Sequence, residues 1–238
     1  MSRRSSKPSS AEARPRAAAV IVAGGSGRRM GGGVRKQYLE VGGEPILLRA
    51  VRPFVGHPGI GAVVVVLPPD DAASPPAWLA AMDVTVVAGG AERGDSVWNG
   101  LAATPDDGDT VLVHDGARPF VTAEVIDRVL EAARSGPALA ALPVTDTLKE
   151  VREDGTVAAT PDRARFWQAQ TPQGFPRAAI LDVHRRARAE GVRATDDAAL
   201  CERYGIEVRV VEGAAENLKV TRPADLAVAE ALARRLPG

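Results

Sequence analysis

The sequence has one cysteine, Cys201, among 238 residues. No internal disulfide can form, and such sparing cysteine use fits a reducing cytoplasm. Histidine is almost as scarce, with three scattered residues that suggest no metal cluster. The 30 Lys and Arg balance the 30 Asp and Glu, so bulk charge implies neither nucleic acid nor a membrane as partner. No apolar run approaches the ~20 residues needed to span a bilayer. Residues 1–16 carry Arg, Ser, Pro and Lys without an apolar core. They are not a secretory signal and read as a disordered tail, with a transit peptide as the alternative. No internal repeat is present. Hydrophobic residues make up 45% of the chain, ample for a core, and residues 17–238 suit one α/β domain.

Two familiar phosphate-binding loops are also missing. A P-loop needs G-x-x-x-x-G-K followed by Ser or Thr, and Lys36 is followed by Gln37. A dinucleotide fingerprint needs a third glycine where Met30 stands after Gly25 and Gly27. What stands there instead is AAAVIVAGGSGRRMGGGVRKQY, residues 17–38. The apolar run 17–23 reads as a strand buried on both faces. Glycines then let the backbone approach a ligand closely, and Arg28, Arg29, Arg35 and Lys36 add positive charge. The alternative is a mobile glycine-rich loop with incidental arginines. A preceding strand and paired cations favour a polyphosphate cradle.

Beyond the loop, a helix is expected from Glu44-Pro45 to about 55, strands at 62–67 and 84–87, and a turn-rich loop at 68–76. A helix follows 91–96 and runs through 101, a strand spans 110–113, and a helix covers about 122–134. This alternation implies a Rossmann-like, mostly parallel sheet with helices on both faces. Ligands bind beyond the carboxyl ends of such strands, so the polar segments 24–36, 89–96 and 114–118 should converge on one cleft. The pattern changes at Pro143. Runs at 145–151 and 156–160 flank Asp154-Gly155, a hairpin signal. That hairpin, 145–160, should protrude as an arm and pack against a second copy of the chain. Residues 170–173 read as a loop, 176–190 and 196–203 as helices, 206–211 as a strand, and a last helix starts near Pro223.

Asp115 at a strand end is the candidate magnesium ligand, since this ion takes one or two carboxylates besides phosphate oxygens. A helix cap or a partner for Arg118 is the alternative. His114 reads as structural, and Cys201 as a packing residue. No nucleophile-and-base pair stands out. A phosphate monoester substrate would bring its own nucleophilic oxygen, leaving the protein to position anions and offset developing charge. Arg29, Lys36, Arg118, Arg163 and Lys219 are cations near predicted loops; a solvated surface position is the alternative for each.

AGGSGRRM followed by KQY resembles the signature of sugar-nucleotide pyrophosphorylases and cytidylyltransferases. VLVHDGARP, GGAERGDSV, TDTLKEV, DRARFWQAQTPQGF, TDDA and NLKVTRPADL then resemble the 2-C-methyl-D-erythritol 4-phosphate cytidylyltransferase family of the non-mevalonate isoprenoid pathway. The resemblance implies CTP and a polyol phosphate as substrates, a divalent cation such as magnesium, and a homodimer whose arms swap. It implies that Arg29 and Lys36 stabilise the transition state at the α-phosphorus, and that Arg163 and Lys219 position the acceptor. Asp115, Arg118, Thr147 and Thr171 match further pocket positions. Ala23, Gly24, Gly25, Gly90, Ala91 and Ser96 match CTP contacts. Three positions depart from the family pattern: Gly24 for Ala, Arg35 for the Pro before the lysine, and Ala91 for Asp. Arg35 should accept replacement by Pro with little loss. A fused cyclodiphosphate synthase domain, found in some relatives, is not expected. Ribitol 5-phosphate cytidylyltransferases share the AGG loop and are the nearest alternative. A non-catalytic nucleotide-binding homologue is another, against which Arg29 and Lys36 speak.

Overall fold

The computed structural model describes residues 17–25 and 34–236. The proposed tail and Arg29 lie outside the described residues. Strand β1 (Ala17–Val22) is followed, past a 3-10 turn at Lys36–Tyr38, by a short ribbon of β2 (Glu40–Val41) and β3 (Glu44–Pro45). Next come α1 (Ile46–Val55), β4 (Ile60–Leu67), α2 (Pro69–Ala73), α3 (Ala77–Ala80), β5 (Thr85–Ala88) and α4 (Arg93–Ala102). The chain continues through β6 (Thr110–Asp115), α5 (Ala123–Ala133), β7 (Ala138–Pro143), β8 (Glu150–Val151) and β9 (Val157–Ala159). It closes with β10 (Trp167–Pro176), α6 (Arg177–Glu190), α7 (Asp197–Arg203), β11 (Arg209–Glu212) and α8 (Pro223–Arg235).

Among the described residues seven strands form one sheet, ordered β11-β7-β10-β6-β1-β4-β5. All neighbours pair parallel except β10, which runs antiparallel to both β6 and β7. Alternate residues of the central strands feed two apolar layers. Ala19, Ile21, Val65 and Leu112 pack with Leu47, Val51 and Phe54 of α1 and with Val125, Ile126 and Val129 of α5. Val20, Val64, Val66, Val111 and Val113 pack on the other side with Val97 and Leu101 of α4 and with Ile180 and Val183 of α6. Burial on both faces is why β1 and β4 read as unbroken apolar runs. Helix α8 covers Val41, Ile46, Phe120 and Val220 through Ala229 and Ala233.

Several expectations need correction. Pro45 is the N-cap of α1, and Glu44 with Pro45 pairs with β2 rather than opening the helix. The 68–76 loop contains a helix, α2, begun by Pro69 at its first position. Strand β7 has no counterpart among the expected elements. Residues 170–173 are not a loop but the middle of β10, where a register shift between Ala169 and Gln173 accommodates Pro172. Proline lacks the N–H of a ladder and is tolerated at such irregularities. In the segment expected to form the arm there is a hairpin, β8–β9, shorter than expected, with every residue of both strands exposed.

Helix α5 lies so close to β10 that only glycine fits at position 174. An added Cβ would stand 2.8 Å from Ala133 Cβ and from Val129 Cγ1, and 2.9 Å from Leu112 Cδ2. Gly174→Ala should therefore cost ~1–3 kcal/mol through overpacking. Urea denaturation checks this: the midpoint falls while the slope stays unchanged.

Candidate active site

The described parts of the three polar segments converge at the carboxyl ends of β1, β5 and β6. Ala23 N–H donates to Val66 O at 2.8 Å, Gly89 N–H to Leu67 O at 2.7 Å, and Gly116 N–H to Val22 O at 2.9 Å. Gly24 sits where a Cβ would meet Ser96 Oγ at 3.0 Å and Gly89 Cα at 3.6 Å, so the two loops touch backbone to backbone. Ser96 shapes the second loop: its hydroxyl accepts from Gly90 N–H at 3.1 Å and donates to Glu92 O at 3.1 Å. Ala91 is exposed just before the α4 N-cap Glu92. Gly25 is exposed at the mouth of the first loop.

Asp115, at the end of β6, is the hub. Lys219 Nζ stands 2.8 Å from its Oδ2, Arg118 Nε 3.6 Å from the same oxygen, and Arg93 Nη2 3.8 Å from Oδ1. Arg93 also pairs with Asp197 at 2.9 Å, and Asp197 accepts from His184 Nε2 at 2.9 Å. Three cations thus gather around Asp115, one of them shared with Asp197. Burial raises the Asp115 pKa, but Lys219, Arg93 and Arg118 more than offset it and hold the carboxyl at about 2. Burial likewise opposes ionisation of Asp197, and Arg93 and His184 overcome it, keeping the pKa below the usual range. Arg118 is 8% exposed and braces the site inwardly: Nη1 donates to Asn217 O at 2.7 Å and Nη2 to Ala169 O at 3.4 Å.

Thr171 is buried, contrary to a substrate-facing loop position, and its hydroxyl accepts from Asp115 N–H at 3.0 Å. It donates in turn to His114 Nδ1 at 3.0 Å, while His114 Nε2 donates to Arg118 O at 3.2 Å. With the ring neutral, as its burial favours, Nε2 carries the hydrogen given to the carbonyl and Nδ1 accepts from the hydroxyl. Burial pushes the His114 pKa down to about 4. With His184 on Asp197 and His57 3.3 Å from Asp127, all three histidines are engaged. Cys201 is fully buried, and burial pushes its thiol up to about 12, so it is no nucleophile.

The described residues do not fit a resident magnesium ion. Asp115 already accepts from Lys219 and faces two guanidiniums, which would repel a metal, and no group of three His, Cys, Asp or Glu side chains gathers among them. The structure therefore favours the ion-pair alternative for this carboxylate.

Lys36 lies in the 3-10 turn beyond the first loop, and the neighbouring Gln37 donates Nε2 to Ala23 O at 3.2 Å. Arg163, just past the arm, is exposed and donates Nη1 to Thr145 O at the start of the arm, where Thr147 is exposed too. That bond ties Arg163 to the foot of the arm, while Lys219 turns to Asp115.

Arg93 is absent from the sequence-based candidates although it links both buried carboxylates. Its signal was a cation at the first residue of a helix, where the dipole disfavours positive charge unless carboxylates face it. Asn217, fully buried, is also absent from them. Its amide donates to Thr171 O at 2.8 Å and to Gln170 Oε1 at 3.3 Å, fixing the segment that carries Lys219.

The family model for 2-C-methyl-D-erythritol 4-phosphate cytidylyltransferase matches residues 17–235. The chain belongs to that cytidylyltransferase family. A family member of this name from Syntrophus aciditrophicus is 43% identical over 232 residues, covering 94% of this chain and 99% of its own. Another, from Symbiobacterium thermophilum, is 46% identical over 214 residues, covering 90% and 91%. Among solved structures, the cytidylyltransferase of Thermus thermophilus aligns with a TM-score of 0.77 at 39% identity, covering 90% of this chain and 98% of that one. A 4-diphosphocytidyl-2C-methyl-D-erythritol synthase from Anaerococcus prevotii aligns with a TM-score of 0.83 at 30% identity, covering 92% and 96%.

The His114 ring makes the stability of this cytidylyltransferase family member depend on pH. Its pKa is 6.5 in the unfolded chain and about 4 when folded, so the unfolded chain takes up the proton first as pH falls. The contribution of the neutral ring is full above the unfolded value and is lost by the folded one, a loss on the order of 3 kcal/mol. Asp115 acts in the same direction lower down, its contribution lost as pH falls from 3.8 toward about 2. Denaturation of the parent and of His114→Asn at about pH 7 and pH 5 checks this, with the parent losing more of its stability across the interval.

Proposed function

We infer that the chain transfers CMP from CTP to 2-C-methyl-D-erythritol 4-phosphate, giving 4-diphosphocytidyl-2-C-methyl-D-erythritol and pyrophosphate. The observation that carries the reading is the cleft itself. It holds three cations around one ionised carboxylate, and the described residues around it include no accessible thiol and no unengaged imidazole. A phosphate monoester supplies its own nucleophile. Its oxygen attacks the α-phosphorus, the bond from that phosphorus to the bridging oxygen breaks, and pyrophosphate leaves with the electron pair. The protein's work is to align the two anions and to offset charge that grows on the α-phosphate and the leaving group.

In this reading Lys36 and Arg29 act on that growing charge, and Lys219 with Arg163 holds the acceptor phosphate. Asp115, ionised at any working pH, accepts hydroxyl hydrogens of the polyol. Arg118 and Thr171 hold Asp115 in place rather than touching substrate. The backbone of Ala23, Gly24, Gly25, Gly90 and Ala91 approaches the nucleotide, with Ser96 shaping the second loop. A backbone contact there tolerates Ala91 in place of Asp. Magnesium enters as the CTP complex, held by phosphate oxygens, as is usual for this ion. The cytoplasm is the proposed location, and no described helix is long and apolar enough to cross a membrane.

Pyrophosphate release, assayed with each nucleoside triphosphate against a panel of polyol phosphates, tests the assignment. CTP with methylerythritol phosphate should give the highest kcat/KM. Equal turnover with UTP would contradict cytidylyl transfer, and preference for ribitol 5-phosphate would place the chain in that sister activity.

The arm is proposed to cross a two-fold dimer, so that each site takes Arg163 and Thr147 from its partner. Exposure of the hairpin strands and the engagement of Arg163 with Thr145 support this. Lys36→Ala and Arg163→Ala homodimers should both be nearly inactive. A mixed dimer collects both defects in one site and none in the other, so activity returns to about half of the parent. No recovery in mixtures shown to have exchanged subunits would exclude the swapped arm.

A further inference from the structure

Lys36 is flanked by residues tied to two separate parts of the fold. On one side, Gln37 is 3% exposed and anchored to Ala23 at the end of β1. On the other, Arg35 reaches α2: its Nη1 lies 2.5 Å from Asp71 Oδ2, and its Nη2 3.6 Å from Asp70 Oδ2. The Tyr38 hydroxyl donates to the same Asp71 oxygen at 2.7 Å. Asp71 is therefore a common anchor for the residues before and after Lys36. Its side chain is 19% exposed and that of Arg35 is 32% exposed, so water screens the pair only in part.

The backbone explains what the pair does. Arg35 has φ −66° and ψ 140°, the conformation a proline ring would impose, and its carbonyl accepts from Tyr38 N–H at 2.9 Å to close the turn. Proline would fix that φ covalently. Arginine has the freedom of any ordinary residue there, and its side chain supplies the restraint from outside.

We propose that the Arg35–Asp71 ion pair is a positioning device for Lys36, holding in place the turn from which the lysine reaches the phosphates. Arg35, counted from the sequence among the cations of the cradle, turns to α2 instead, and in this proposal both residues act through the backbone that carries the lysine. The inference rests on Lys36 serving the transfer as proposed above.

Kinetics at varied CTP on Arg35→Ala, Asp71→Asn, the double variant, Arg35→Pro and Lys36→Ala test it. Asp71→Asn removes the charge and leaves an acceptor for Tyr38. Each single variant, Arg35→Ala or Asp71→Asn, should lower kcat about three- to tenfold, short of the ~100-fold of a full 1 Å misplacement. KM for CTP should move less than kcat, and Tm should not change. The double variant should be no slower than the slower single, because both remove one interaction. Arg35→Pro should keep kcat within about twofold of the parent, since the ring restores the fixed φ.

The proposal is overturned if Arg35→Ala keeps near-parental kcat, if the two defects multiply, if the loss follows Tm, or if Arg35→Pro is as slow as Arg35→Ala. Lys36→Ala separates this from the underlying reading. Near-normal kcat in that variant would remove the role of the lysine itself. An inactive Lys36→Ala beside an unaffected Arg35→Ala would remove only the positioning role.

Discussion

The charge on Asp115 is what allows the cleft to exist in its present form. Lys219 comes from the segment before α8, Arg93 from the start of α4, and Arg118 from the turn after β6. Without a carboxylate among them, these cations would face one another at the end of a buried strand. Burial alone would favour the neutral acid, and the three neighbours reverse that preference. Thr171 adds a bond to the Asp115 main chain, so the antiparallel strand β10 also bears on the position of the carboxylate. The result is a set of oriented charges fixed by folding, before any substrate arrives, which is the arrangement electrostatic catalysis requires.

Much of this was legible in the order of residues. The glycine-rich turn after β1, the alternation of strands and helices and the convergence of three polar segments follow from local sterics and periodicity. The structure bears out the alternation and, for the described parts of those segments, the convergence. Strand β7 was not legible, because Ala138–Pro143 reads ALAALP, with no β-branched residue and no alternation. It is a strand because β10 and β11 flank it. Strand β10 was hidden by Pro172 and its glutamines, which locally spell a loop. Its pairing with β6 and β7, both distant in sequence, decides the matter. Helix α2 was masked in the same way by prolines that begin a helix as readily as they make a turn.

The site shows the same division. Gly24 and Asp115 could be singled out from their places after strands. The inward duties of Ser96, Arg118 and Thr171 could not, since each depends on a partner brought near only by the fold. Arg93 is the clearest case. Its local environment is a helix start, an unfavourable place for a cation, and its reason for being there lies in Asp115 and Asp197. Arg35 is the converse. A departure from the family pattern at one position is matched by Asp71, supplied from a helix that the sequence had disguised as a loop.

Strand β10 runs without interruption of the chain from the core to the foot of the arm. Trp167 and Gln168 still pair with Pro143 and Leu142, and Val144 N–H donates to Phe166 O at 3.0 Å. Both legs of the arm are therefore clamped to the main sheet where they leave it. Between those clamps and the ladder of β8 and β9 the chain passes through 145–149 and 160–166, which pair with no strand of the main sheet, so that sheet fixes where the hairpin leaves it. The entropy of closing the loop from 144 to 166 is thus met by the main sheet during folding, which leaves the hairpin only its own short ladder to form.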